Sequence, residues 1–186
     1  MFIGQRALDF IFALIGLIVF MPFLVLIYLF SKLIIGNPLF IQDRIGMNQM
    51  RFKLIKFRTM PLDTPNIPTH ENINIEIHPY GVFLRKYKLD ELPQIFNVLF
   101  GHMSFVGPRP CLPSQKKLIF ERESKNIFSI RPGITGLAQI ESIDMSNELH
   151  LVSVEQQMIK NFNLLHYFKY IALTILGRGR GDSINL

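Results

Sequence analysis

Two adjacent carboxylates, Asp90 and Glu91, are the residues of this sequence best suited to chemistry. They stand where a helix is expected to begin, because an Asp90 oxygen can accept the unpaired amides of a first turn. Pro93 would then lie inside that turn, and Gly101 would end the helix. The helix dipole would keep both carboxylates ionised. Taken alone, this pattern favours a simple N-cap, so its interpretation depends on the surrounding residues.

Arginines stand in rigid segments on both sides of the pair. Arg109 lies in Gly107-Pro108-Arg109-Pro110, and Arg131 begins Arg131-Pro132-Gly133-Ile134-Thr135-Gly136. Arg85 lies in a short predicted helix just before the pair. A planar guanidinium suits phosphate oxygens, and a loop held by proline and glycine loses little entropy on binding them. We therefore predict that these arginines converge on the carboxylates.

Composition limits the function classes. The 186 residues carry a formal charge of +6, are 49% hydrophobic and include 17 Phe. A basic excess is typical of chains that meet phosphates, anionic membranes or nucleic acid. Nucleic acid is disfavoured, because the basic residues are dispersed rather than gathered in one stripe with stacking aromatics. The single cysteine, Cys111, excludes an internal disulfide and a multi-cysteine metal site.

An apolar segment from Phe10 to Ser31 carries no charged side chain. About 20 such residues suffice to span a bilayer as one helix. However, Pro22 interrupts the segment, and Arg6 and Lys32 flank it with positive charge, which is typical of a cytoplasmic side. The residues alone leave a spanning helix and a re-entrant hairpin open. In either case the remainder of the chain is expected on the cytoplasmic face of the membrane.

The predicted fold class is α+β, mainly helical. Strands are predicted at 40–42 and 52–57, with a turn over 44–48, and helices at 80–87, 90–100, 112–126, 147–162 and 164–176. The last helix carries an apolar stripe that suits either the membrane interface or the core. Residues 177–182 are expected to form a flexible basic tail.

The ordered set of motifs resembles the bacterial sugar transferase family, the monotopic phosphoglycosyl transferases that begin glycan assembly. The matching residues are Met21-Pro22, Pro38-Leu39-Phe40-Ile41-Gln42-Asp43-Arg44-Ile45-Gly46, Lys56-Phe57-Arg58-Thr59-Met60, Leu89-Asp90-Glu91-Leu92-Pro93-Gln94, Asn97-Val98-Leu99, Met103-Ser104-Phe105-Val106-Gly107-Pro108-Arg109-Pro110 and Arg131-Pro132-Gly133-Ile134-Thr135-Gly136. They cover nearly the whole chain. No single motif is decisive, but their order is specific.

The resemblance implies a reaction. A sugar-1-phosphate passes from a UDP-sugar to undecaprenyl phosphate, giving undecaprenyl-diphospho-sugar and UMP, and this starts an O-antigen, capsule or glycoprotein glycan. Asp90 would be the nucleophile, forming a phosphosugar–aspartate intermediate. Mg²⁺ would bridge Asp90 and the diphosphate, and Glu91 would activate or position the lipid phosphate.

The resemblance also assigns binding residues and topology. Arg85 and Arg109 match phosphate-binding positions. The predicted phosphate and substrate set is completed by Lys56, Arg58, Gly107, Pro108, Arg131 and Thr135. Residues 1–36 would form a membrane-inserted re-entrant helix broken at Met21-Pro22. Residues 37–186 would form a small α/β catalytic domain with interfacial amphipathic helices on the cytoplasmic face of the inner membrane. Its partners would be the two substrates and membrane lipids, and a homodimer stays open.

The sequence departs from the family pattern toward the expected sugar and nucleotide end. His102 replaces a common Asp, Leu137 a common Trp, and Glu155 stands closest to the Asp of a common Asp-x-x-Tyr signature. Residues 141–146 stand where a common Asn-Gly-Arg is found, and residues 143–146 resemble members that act on N-acetylated 6-deoxy-hexoses. The alternative from another class is a membrane-anchored scaffold that binds lipid phosphates without catalysis, which would not need the carboxylate pair.

Overall fold

The computed structural model describes residues 4–62, 64 and 77–179. Helices predominate among them, as the predicted α+β, mainly helical class requires. The helices are α1 Gln5–Ile35, α2 Pro79–Lys86, α3 Gln94–Leu99, α4 Lys116–Ser124, α5 Leu137–Ile140, α6 Glu148–Asn161 and α7 Leu164–Ile175; the strands are β1 Leu39–Ile45, β2 Arg51–Phe57, β3 Ser104–Val106 and β4 Gly133–Thr135.

The apolar segment forms one continuous helix. α1 contains Pro22 and is long and apolar enough to cross a membrane. The predicted helix–break–helix at Met21-Pro22 is not confirmed, because helical structure continues through both residues. A proline inside a helix removes one backbone hydrogen bond and favours a kink, a cost that a helix of 31 residues can tolerate.

One face of α1 contacts the rest of the chain near both of its ends. Near the start, Asp9 accepts hydrogen bonds from Ser104 Oγ at 3.0 Å and from Tyr167 OH at 2.9 Å. Near the end, Ser31 Oγ lies 3.0 Å from Tyr80 OH. Both halves of the helix therefore contact the same folded domain.

The other face of α1 exposes apolar side chains. Ile18 is 70% exposed and Leu33 83%, and many of the aliphatic and aromatic residues between them are also exposed. Contiguous apolar surface of this extent is uncommon on a soluble protein and marks a surface that another apolar phase covers. Together with the length of the helix, this indicates a membrane protein.

Two small sheets carry the loops of the site. β1 and β2 pair antiparallel, with Leu39 opposite Phe57 and Ile45 opposite Arg51. This confirms the two predicted strands and lengthens the first. β3 and β4 pair in parallel, and the sequence pattern does not predict them, because three residues are too few to show an alternation.

A buried ion pair joins α4 to α6. Arg122 and Glu155 are each 1% exposed, and Arg122 Nε donates to Glu155 Oε2 at 2.9 Å. Leu118, Ile127 and Leu151 belong to the apolar cluster of this region. Because a fully buried charge needs its partner, the pair fixes the two helices relative to each other.

α7 turns tyrosines inward and aliphatic side chains outward. Tyr167 and Tyr170 are buried, whereas Leu165 and Ile175 are each 79% exposed. Leu165 and Ile175 therefore do not pack on the core, although Ile171 of the same stripe does. Of the two interpretations that the sequence leaves open, the exposed stripe favours the membrane interface.

Candidate active site

The carboxylate pair lies in a 3-10 turn, Leu89–Glu91, that precedes α3. The helix itself begins at Gln94, with Pro93 at the N-cap position and no side-chain cap. The prediction that Asp90 caps this helix is therefore wrong. The predicted stop is confirmed, because Gly101 follows the last turn with a φ of 83°.

Backbone hydrogen bonds explain why Asp90 is not a cap. Ile95 N–H donates to the Leu92 carbonyl and Phe96 N–H to the Pro93 carbonyl, both at 3.1 Å. These bonds already serve amides of the first turn that a capping oxygen would otherwise satisfy. The amides of Ile95 and Phe96 are thus satisfied by backbone carbonyls rather than by a capping side chain.

Glu91 lies against two cations. Its Oε1 accepts a hydrogen bond from Lys56 Nζ at 2.8 Å and lies 3.8 Å from Arg109 Nη2. The side chains are sheltered, at 16% exposure for Glu91, 12% for Lys56 and 21% for Arg109. Charged groups this far from solvent interact more strongly than a surface pair does.

Asp90 and Lys88 belong to the same turn. Asp90 is 9% exposed, so the carboxylate is nearly buried. Lys88 opens the turn in the left-handed conformation, with φ 55° and ψ 23°. The pKa of Lys88 is lowered, chiefly because burial disfavours the charged ammonium, and Arg109 adds to this effect. The negative charges of Glu91 and Asp90 act in the opposite direction but do not cancel it.

The two arginine loops are held together by their backbones. Gly107 N–H donates to the Thr135 carbonyl, and Gly133 N–H donates to the Pro108 carbonyl, both at 2.9 Å. A Cβ on either glycine would collide with the backbone of the other loop. Gly107 and Pro108 therefore serve the close packing that places the neighbouring Arg109.

The two loops use their arginines differently. Arg109 reaches Glu91, whereas Arg131 Nε donates to the Gly101 carbonyl at 2.8 Å, at the end of α3. Arg131 therefore binds the C-terminal end of α3, and the described contacts include none between Arg131 and the carboxylates. Arg44 supports the first loop, because its Nη1 donates to the Pro110 carbonyl at 3.0 Å.

Two further predicted residues have partners elsewhere. Arg85 Nε donates to Thr59 Oγ1 at 2.8 Å, and no described residue accepts a bond from its buried Nη1. Arg58 donates to the carbonyls of Asn37 and Leu39, each at 3.2 Å. Of the two arginines predicted to reach the carboxylate pair, Arg109 contacts Glu91, and the described contacts of Arg85 do not include either carboxylate.

A cavity of about 380 Å³ opens beside the carboxylate turn. Its polar wall includes Lys88, Glu91, Arg109, Thr135 and Arg178, and its apolar wall includes Phe20 of α1, Ile95, Phe105, Ile134, Ile171 and Ile175. Thr135 is tied to α7 by a short hydrogen bond with Thr174. Polar and apolar walls meet here, so the cavity suits a ligand that combines phosphate with less polar groups.

The predicted substrate-binding residues leave out three cations of this cavity, Arg44, Lys88 and Arg178. Lys88 directly precedes the motif Leu89-Asp90-Glu91, so its closeness in sequence to the carboxylates could have indicated that it lies at the site. Arg178 lies in the predicted flexible tail, but Arg178 and Gly179 line the cavity, while 180–182 lie outside the described residues. No sequence pattern indicates that packing.

A protein-only metal site is absent from the part of the chain that the structure describes: no three His, Cys, Asp or Glu side chains are grouped to hold an ion. Mg²⁺, however, is commonly held by one or two carboxylates together with substrate phosphates and water. Asp90 fits that limited role, with diphosphate oxygens as further ligands.

An apolar helix long enough to cross a membrane packs on the rest of the described chain, and a carboxylate pair lies beside the cations Lys56 and Arg109. The chain belongs to the bacterial sugar transferase family, whose model matches residues 1–179.

Three named relatives are similar to this chain over most of its length. The exopolysaccharide production protein ExoY of Rhizobium meliloti is 32% identical over 95% of this chain and 87% of its own length. The undecaprenyl-phosphate glucose phosphotransferase of Komagataeibacter xylinus is 33% identical over 92% of this chain and 35% of its own. The UDP-N-acetylgalactosamine-undecaprenyl-phosphate N-acetylgalactosaminephosphotransferase of Aeromonas hydrophila is 32% identical over 94% and 44%. The chain thus spans most of one relative and less than half of two others.

Proposed function

We propose that this protein transfers a sugar-1-phosphate from a UDP-sugar to undecaprenyl phosphate, releasing UMP and starting a glycan. The observation that carries this proposal is the contact of Lys56 and Arg109 with Glu91, beside Asp90 and a cavity with polar and apolar walls. Two relatives named for undecaprenyl-phosphate transfer support the acceptor.

Asp90 is the proposed nucleophile. Its carboxylate oxygen forms a bond to the sugar-bearing phosphorus, the bond from that phosphorus to the bridging oxygen breaks, and UMP leaves with the electron pair. The lipid phosphate oxygen then attacks the same phosphorus, and the bond to Asp90 breaks. A covalent route of this kind replaces one displacement between two anions by two displacements at one site.

The cations make attack on an anionic diphosphate feasible. Arg109 and Lys56 offset the charge of the phosphate oxygens, and Glu91 holds both cations in place until substrate arrives. Glu91 is also the proposed group that positions the lipid phosphate for the second displacement. Gly107 and Pro108 fix the backbone from which Arg109 projects.

Magnesium would be held by Asp90 together with the diphosphate. When bound, it supplies positive charge that neutralises the phosphate oxygens and stabilises the departing UMP. The donor sugar that we favour is N-acetylated, with 6-deoxy forms included, because residues 143–146 resemble family members that act on such sugars, and Ile143, Asp144 and Met145 line the cavity.

The membrane arrangement that we propose is monotopic. Contacts of both halves of α1 with one domain support entry and exit on the same side, the cytoplasmic face of the inner membrane. The exposed faces of α1 and α7 would then lie in lipid, at the depth where undecaprenyl phosphate presents its head group.

We expect residue 2 to be inaccessible from the periplasm. The native Cys111 is buried, so a Phe2→Cys variant carries one reactive thiol. A membrane-impermeant maleimide should leave it unlabelled in intact cells and label it after lysis. Adding Pro22→Leu should favour a straighter, spanning helix and raise labelling. Labelling of the parent variant in intact cells would refute the monotopic arrangement.

Activity separates this proposal from the scaffold alternative. Purified protein, Mg²⁺, undecaprenyl phosphate and a panel of UDP-N-acetyl-sugars should yield UMP and a lipid-linked sugar diphosphate. Chelation by EDTA should stop release, and added Mg²⁺ should restore it. Lipid binding without UMP release for any donor would favour the scaffold instead.

A further inference from the structure

We infer that Lys88 is a further phosphate-binding residue, which contacts the diphosphate of the donor. This inference rests on the proposed function and extends the set of cations beyond Lys56 and Arg109. Lys88 lines the same cavity as Glu91 and Arg109. It also opens the 3-10 turn that carries both carboxylates, so its position is coupled to theirs.

The backbone holds Lys88 in an uncommon conformation. A non-glycine residue with positive φ is rare, and such residues concentrate where function requires a particular geometry. At Lys88, the N–H donates to the Arg85 carbonyl at 3.0 Å, and the carbonyl accepts from Glu91 N–H at 3.3 Å. The turn therefore fixes the point from which the lysine stem leaves the backbone.

The C-terminal segment fixes the other end of the side chain. Lys88 Nζ donates to the Arg178 carbonyl at 3.1 Å. Arg178 is itself held, because its N–H donates to the Leu173 carbonyl at 2.9 Å and Gly179 packs against Gln139. The Lys88 ammonium is thus bound at the cavity wall by the backbone carbonyl of Arg178.

The hydrogen-bond partner of Lys88 carries no charge. Glu91 forms ion pairs with Lys56 and Arg109 and also attracts Lys88, but the Arg178 carbonyl that Lys88 Nζ contacts is neutral. An ammonium has three N–H donors, and the described residues accept only one from Lys88. Two donors and a partly desolvated positive charge suit phosphate oxygens, which form strong charge-assisted hydrogen bonds.

Binding of UDP and of uridine, each with Mg²⁺, tests this inference. Lys88→Gln should weaken UDP binding by about tenfold and leave uridine binding unchanged, because only UDP carries phosphates. Lys88→Arg should recover most of the UDP affinity. The matched control is Lys86→Gln, an identical change on the exposed side of α2, which should bind UDP as the wild type does.

Lys88→Asn serves as a second variant, because asparagine tolerates the left-handed conformation and removes the same charge. Wild-type UDP affinity in both neutral variants would overturn the inference, and so would an equal loss of uridine and UDP binding. If the wild type binds no UDP, the proposed donor fails. If it binds UDP and releases UMP while both neutral variants bind equally well, only the role of Lys88 fails.

Discussion

Asp90→Asn should abolish UMP release, with a loss of about a thousandfold or more, while the protein stays folded. An amide is nearly isosteric with the carboxylate but is a very poor nucleophile toward phosphorus, so the first displacement cannot begin. The expected readout is UMP release with saturating donor, together with an unchanged thermal unfolding midpoint. Activity near the wild-type level would remove Asp90 from the nucleophile position.

The matched control for this variant is Asp43→Asn. Asp43 lies on β1 in an exposed ion pair with Lys53 at 2.9 Å, and its side chain is 45% exposed. Exposed pairs of this kind contribute about 0–1 kcal/mol to stability. Asp43→Asn should therefore keep both activity and stability, which shows that loss of one carboxylate does not by itself stop turnover.

Arg122→Met should be the most destabilising of the substitutions considered. It leaves Glu155 as a buried charge without its partner, at a cost of about 3–5 kcal/mol. For a chain of this size, such a loss lowers the unfolding midpoint by roughly 10 °C. Thermal unfolding of the purified protein in one fixed detergent or nanodisc measures the shift.

A double variant and an exposed ion pair serve as controls for Arg122→Met. The double variant Arg122→Met with Glu155→Leu should recover most of the lost stability, because it removes both charges and keeps an apolar volume. Lys117→Met breaks a pair with Glu148 in which Lys117 is 71% exposed, and it should change the midpoint little. Equal effects of Arg122→Met and Lys117→Met would show that the buried pair does not stabilise the fold.

Local signals predict much of the fold. β1 and β2 follow from their residue types, the helix predicted from 147 begins at Glu148 with Asn147 as its N-cap, and Gly101 ends α3 as expected. Each of these features depends on neighbours in sequence, such as a capping oxygen or a left-handed glycine. The carboxylate pair is also found from sequence, although its role as a helix cap is not.

Long-range pairing sets the limit of such prediction. The two arginine loops share Arg, Pro and Gly, yet Arg109 contacts Glu91 and Arg131 contacts Gly101. The first loop follows β3 and the second contains β4, and no local pattern encodes the parallel pairing of these strands. The place of Lys88 likewise depends on Arg178, far along the chain.

The most direct test of the account is to trap the covalent intermediate. Glu91→Gln protein, incubated with Mg²⁺ and a UDP-sugar that the wild type accepts but without undecaprenyl phosphate, should release UMP up to one equivalent. Peptide mass spectrometry should then find a phosphosugar on Asp90 and none in Asp90→Asn protein. The proposed mechanism is contradicted if the wild type forms product with that donor while no acyl phosphate is found in any variant. It is also contradicted if the adduct persists without Asp90.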